Sequence, residues 1–143
     1  MAVAWRASGA IVAAAGTGGG ATGLTITAPS CSSDDILIAI ILSKSNTSIS
    51  APDTTWTSVH ASNNTTAQRV SIWWKKATGS AGDFTFTRAS ENINWYGAIV
   101  AFYGANTTVP IDGTSPTANP TSTASDTVSY STFDPAFTSL LEW

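Results

Sequence analysis

Arg69-Val70-Ser71-Ile72-Trp73-Trp74-Lys75-Lys76-Ala77 is the stretch whose reading decides the fold of this chain. A β-strand turns successive side chains to opposite sides, so a period of two sorts the segment into Val70, Ile72 and Trp74 against Arg69, Ser71, Trp73 and Lys75. The first set is apolar throughout and reads as the core side. The second puts an indole between two cations and reads as a side that faces outward. Phe84-Thr85-Phe86-Thr87 repeats the alternation, with Phe84 and Phe86 expected inside.

Outward from this segment the chain keeps the same character. Turn-forming residues recur about every ten positions, and the stretches between them are rich in Val, Ile, Thr and aromatics, with no sustained 3.6-residue period. Strands are expected over 3–7, 11–15, 23–27, 35–42, 54–60, 67–77, 84–87, 93–103 and 127–131, with a weaker pattern over 137–143. The runs Ile36 to Leu42 and Ala98 to Phe102 are apolar on both sides. That is the signature of central strands covered twice, by a second sheet or by another subunit. The fold class that follows is all-β: a single antiparallel β-sandwich of about 8–10 short strands, jelly-roll-like in type.

At 143 residues the chain suits one domain spanning 1–143, large enough to bury a core without disulfides. Within it the Gly-rich stretch 16–20 reads as a flexible loop, and 113–125, rich in Pro, Ser and Thr, as an extended surface connection. Charged residues make up 10% of the chain, well below the roughly 25% of an average protein, and hydroxyls take their place. The formal net charge is −3 and the six Lys and Arg residues are scattered, so no basic stripe is present to hold a nucleic acid. Ile36 to Leu42 is too short to span a bilayer, and the first residues lack the pattern of a signal peptide. The expectation is a protein with neither a nucleic-acid nor a membrane partner.

Catalytic chemistry finds little to use. Triad-type nucleophilic catalysis needs a base beside the nucleophile, and the chain has one histidine, His60, and no Gly-x-Ser-x-Gly elbow. Of the nine acids, Asp34, Asp35, Asp53, Asp83, Asp112 and Asp134 sit in turn-forming contexts, which leaves Glu91, Asp126 and Glu142. Cys31 is the only cysteine, so neither a disulfide within the chain nor a cysteine metal cluster is expected. The Gly16 to Gly20 run lacks the Lys-Ser/Thr that completes a phosphate-binding loop. The expected protein is not an enzyme, and no catalytic, cofactor-binding or metal-binding residue is assigned.

The aromatics offer more. Trp73, flanked by Arg69 and Lys75, has two readings: core residue under a second sheet, or contact residue for a protein or a sugar. Trp56 is expected to pack in the core against Trp74. The last residues, Leu140-Leu141-Glu142-Trp143, are too apolar for a solvated tail. They dock into their own sandwich or into a neighbour, and both readings stay open. The protein-contact candidates are therefore Arg69, Trp73, Lys75, Leu140, Leu141 and Trp143.

Taken in order, Ser33-Asp34-Asp35-Ile36-Leu37-Ile38-Ala39, Ala51-Pro52 to Trp56-Thr57, Arg69 to Ala77, Phe84 to Thr87, and Ala98 to Asp112 with Tyr103-Gly104-Ala105-Asn106 and Pro110-Ile111-Asp112 form a pattern. It resembles the β-sandwich modules of tailed-bacteriophage virion proteins, both tail or fibre components and capsid decoration proteins. The resemblance runs from Gly23 to Gly113, and its motifs are structural. It implies a virion protein made in the host cytoplasm that works as a homo-oligomer, with a trimer as the expected form. The absence of heptads and fibrous repeats favours, within that class, a capsid decoration or cement protein that binds the major capsid protein and stabilises the shell. The alternative is a tail or fibre appendage, or a carbohydrate-binding module that stacks host glycans on Trp73, Trp95 or Tyr96. The pattern has more strand sequence after Pro110-Ile111-Asp112 than this chain supplies, so completion of the sandwich by a neighbour is a further expectation.

Overall fold

The computed structural model describes residues 3–14, 22–64, 68–80, 82–89 and 93–111. Nine strands run through them: β1 (Ala4–Ser8), β2 (Val12–Ala14), β3 (Gly23–Thr27), β4 (Ile36–Ser43), β5 (Ile49–Ser50), β6 (Thr57–Asn64), β7 (Gln68–Lys76), β8 (Asp83–Arg88) and β9 (Trp95–Tyr103). They form an all-β sandwich of two antiparallel sheets. The larger has the order β1-β9-β4-β7-β6, with β2 also on β9, and the smaller has the order β3-β8-β5. The chain changes sheet at most connections, and no helix occurs among the described residues. The strands expected over 127–131 and 137–143, the glycine loop 16–20 and the connection 113–125 all lie outside the described residues.

Both two-sided apolar runs occupy the middle of the larger sheet. β4 is flanked by β7 and β9 along its whole length, from Ile36 opposite Lys76 and Phe102 to Ser43 opposite Arg69 and Trp95. One side of this sheet meets the smaller sheet, and the core lies between them. Leu37, Ala39 and Ile41 of β4 and Trp95, Ile99 and Ala101 of β9 pack against Leu24 and Ile26 of β3 and Phe86 of β8. Gly97 belongs to the same row, and a Cβ there would come within 2.7 Å of Ile26 Cδ1 and 2.9 Å of Leu24 Cδ2. The missing side chain is what lets the two sheets approach at that point.

The edge strand beside β9 is broken into β1 and β2 at Gly9. Its N–H donates to Ile99 O at 2.8 Å, and a Cβ would lie 2.9 Å from Thr27 O of the other sheet, so a larger residue would collide with backbone. A register shift between Trp5 and Ala7 leaves Arg6 out of the pairing. Its guanidinium forks onto Asp35, with Nε 2.5 Å from Oδ2 and Nη2 3.1 Å from Oδ1, and stands over the Tyr103 ring. Ser32 N–H donates to the same carboxylate at 2.7 Å. A buried carboxylate held by a bidentate guanidinium and an amide is a structural lock between β1 and the start of β4.

The facing of β7 is the reverse of the sequence expectation. Trp73 packs against the core and Ser71 is fully buried beneath the smaller sheet, while Val70, Ile72 and Trp74 are half-buried on the opposite side. Direct pairing settles this, because Trp73 stands opposite Ala39 and Ile99 lies beyond it, all turned inward. Trp56 is core as expected, but its partners are Phe84 and Phe86, met edge to face at 5.0 Å and 5.3 Å, rather than Trp74. Phe86 is fully buried and Phe84 packs half-buried beside it, as the alternation indicates. β6 runs on to Asn64, past the expected strand end at residue 60, and the two-residue β5 carried no sequence signal.

Candidate functional site

The polar residues of the described chain are largely engaged with one another. Asp34 meets Lys76 at 2.7 Å, Asp35 meets Arg6, and Asp83 accepts from Thr27 Oγ1 at 2.7 Å. Asp53 accepts from the Thr55 N–H at 2.7 Å and from its hydroxyl, and Lys75 Nζ stands 3.6 Å away. These contacts, those of Thr55 foremost, hold the Asp53 carboxyl below the usual carboxylate range. Each of these four acids thus has a turn, a cation or a hydroxyl to explain it. Among the described residues no three His, Cys, Asp or Glu side chains come together. Cys31 donates from Sγ to Gly79 O at 3.2 Å in a half-buried site.

The residues singled out in β7 lie on the inner side of the larger sheet, which for Trp73 is the first of its two readings. Trp73 is a half-buried inner residue that packs against the core, with its indole N–H buried. Lys75 lies under the sandwich rim, its ammonium 4.9 Å from the Phe84 centroid and 6.0 Å from that of Trp56. Arg69, at the other end of the strand, donates to Ser71 Oγ and to Asn46 O. The two cations are therefore at opposite ends of the inner face, where the three-stranded sheet runs out and polar groups reach water. Leu140, Leu141 and Trp143 lie outside the described residues. Trp95 is fully buried, with the Arg88 guanidinium 4.8 Å over its ring. Arg88 also donates to Ser43 Oγ at 2.8 Å and to Ile93 O, tying the smaller sheet to the end of β4.

What the structure brings together instead is the outer face of the larger sheet. Four rows of side chains cross it, fixed by the registers. One holds Trp5, Phe102, Ile36 and Lys76; the next, Ser8, Val100, Ile38, Trp74 and Thr57. The third holds Ala98, Ile40, Ile72 and His60, and the last Ala13, Tyr96, Leu42 and Val70. Large apolar groups stand in water here: Trp5 is 60% exposed, Leu42 48%, Ile40 41% and Tyr96 37%. Between them lie half-buried Ile38, Ile72, Trp74, Val100 and Phe102. The middle strands β9, β4 and β7 carry one charge on this face, Lys76, at its end and paired with Asp34.

The other outer face of the sandwich is its opposite. Thr25, Thr27, Thr85 and Thr87 are exposed on β3 and β8, with Ser50 beside Thr87 on β5. Thr25 and Thr85 share a hydrogen bond of 2.8 Å across the strands. This chain thus dresses a water-facing sheet in hydroxyls and leaves the other sheet apolar. Scattered exposed apolar residues are ordinary, but a contiguous apolar sheet face marks a surface made to be covered. Sequence alternation missed this face because it counted Val70, Ile72 and Trp74 as core. The signal was the two-sided apolarity of Ile36 to Leu42 and Ala98 to Phe102, which allowed a second subunit as a cover. The chain matches no protein-family model, no curated protein and no solved structure.

Proposed function

We propose that this chain is a non-catalytic assembly module, in its specific form a decoration or cement protein that adds to a virion shell and stabilises it. One observation supports the reading above others: the outer face of the six-stranded sheet is apolar across β9, β4 and β7, while the hydroxyl-covered face of the smaller sheet shows how the same chain treats water. The resemblance over Gly23 to Gly113 supplies the virion setting. Covering a half-exposed Leu, Ile or Trp contributes roughly 1 kcal/mol each, and a particle repeats the contact many times. The contact region accordingly moves from Trp73, Arg69 and Lys75 to Trp5, Ile40, Leu42 and Tyr96, and the apolar segment Leu140 to Trp143 is a second contact candidate.

Purification from the natural setting tests it. Capsid-scale copy number on particles, with heat or osmotic resistance lost in a strain expressing Leu42→Lys, is the expected result. A chain that never co-purifies with particles overturns the virion setting. The tail-appendage or glycan reading rests on Trp5 and Tyr96, since Trp73 and Trp95 are inside. It predicts saturable glycan binding by the isolated protein, abolished by Trp5→Ala or Tyr96→Ala, and a few copies per particle.

A further inference from the structure

We propose that the apolar outer face of the six-stranded sheet is occupied by the same face of a second copy of this chain, so that two sandwiches stack sheet on sheet with their threonine faces outward. The inference rests on the reading of that face as an assembly surface and names its partner.

Size is the first argument. The face is five strands wide at about 4.8 Å each and four side-chain rows long at about 6.7 Å per row, on the order of 650 Å². Two such faces in contact bury on the order of 1,300 Å², above the roughly 1,000 Å² that a specific interface needs.

Charge is the second. A two-fold axis sets each side chain against its own copy or its symmetry mate, so a charged face repels itself. Here β4 and β9 present no charge, and Lys76 at the end row is neutralised by Asp34 at 2.7 Å. Such a face meets its own copy without like-charge repulsion.

Shape is the third. Packed sheets lie about 10 Å apart and interdigitate large against small residues. Row three offers Ala98, with Ile40 beside it on β4 and Tyr96 and Val100 before and after it on the same face of β9, a dip next to the ridge that Ile40 and Ile72 form. An axis passing close to Ile40 seats the Ile40 of each copy toward the dip of the other. One flat apolar face on a two-fold closes as a dimer, whereas a trimer needs two different patches on every chain.

Sedimentation equilibrium of the full chain, from 1 to 200 µM in order of magnitude, reads this directly, since typical specific contacts of this size fall in the µM range or tighter. The expected result is a concentration-dependent dimer. Ile40→Lys and Ile40→Glu alone each sediment as monomers, with at least a tenfold weaker association, and an equimolar mixture of the two regains the dimer mass because opposite charges then meet across the axis. Leu42→Lys, at the face's other end from Trp5, weakens the dimer as well and stands in if either Ile40 variant fails to show the native circular dichroism. A wild-type chain that stays monomeric overturns the self-pairing; if Leu42→Lys then still abolishes particle binding, the assembly reading survives with a different occupant, and if it changes nothing, both fall. A dimer or trimer whose mass ignores natively folded Ile40→Lys and Leu42→Lys also overturns it.

Discussion

The two outer faces of this sandwich are built by the same rule and reach opposite surfaces. On β3 and β8 the alternation is apolar inside and Thr outside, with Leu24, Ile26 and Phe86 buried and Thr25, Thr27, Thr85 and Thr87 in water. On β4 the alternation is apolar inside and apolar outside, with Leu37, Ala39 and Ile41 buried and Ile38, Ile40 and Leu42 half-buried or exposed. The exposed side of β4 is therefore not a leftover of strand propensity. Threonine has strand propensity as high as the aliphatics, and the chain uses it freely elsewhere. Its absence from the outer face of β4 and β9 says that water is not the environment that face is suited to.

The largest contrast is expected between adjacent residues of β4. Ile41→Ala removes a fully buried side chain and should cost about 2–5 kcal/mol in urea unfolding, whereas Ile40→Ala, measured at concentrations too low for association, should cost less than about 1 kcal/mol. Equal costs would mean that the outer face is already covered within the monomer. Next in size is Gly97→Val, which pushes a branched side chain into Ile26 and Leu24 where the sheets approach most closely. A loss of about 1–3 kcal/mol is expected, with the unfolding slope unchanged. A neutral result would mean that the sheets can separate there.

Smaller effects sharpen the other side of the contrast. Thr25→Val with Thr85→Val deletes one exposed hydrogen bond and makes the smaller sheet resemble the larger. Stability should fall by less than about 1 kcal/mol, while solubility limits measured by precipitation should drop clearly. Smallest is the acid response at the rim. Thr55 and, to a lesser degree, Lys75 favour the charged form of Asp53, so its folded pKa lies below the unfolded one. The stability this supplies is present above the unfolded pKa and is lost as pH falls through the folded pKa. Asp53→Asn should therefore lower stability slightly at pH 7 and change little at acid pH below the folded pKa, so that the decline between the two is flatter. A decline of unchanged steepness in the variant would remove Asp53 from the account.

Much of the fold was legible without coordinates. The short alternating segments and their turn residues placed seven of the nine strands within a few residues, and the two-sided runs Ile36 to Leu42 and Ala98 to Phe102 announced the central strands β4 and β9. The two-residue β5 was invisible because two paired residues leave no period to detect. The extension of β6 past His60 was hidden because Ser and Asn there carry turn propensity, and pairing with β7 overrides it. Asp34 and Asp53 lie in turns as read, whereas Asp83 opens β8 opposite Thr27, and Asp112 and Asp134 lie outside the described residues. The contact face was not read, because it is assembled from strands far apart in sequence.

Alternation by itself determined that Arg69 to Lys76 is a strand and that Trp73 and Trp74 point to opposite sides. It could not determine which side is inside, because a period of two is unchanged when the faces are exchanged, and each side of this strand carries an indole. Tertiary structure broke that symmetry. β4 lies between β7 and β9 and locks the register, Gly97 opens the space on one side for Ile26 and Leu24, and the narrow second sheet leaves polar rims where Arg69 and Lys75 fit beside the buried Ser71 and the half-buried Trp73. Burial is a property of what a neighbouring sheet covers, and no single strand's sequence carries that.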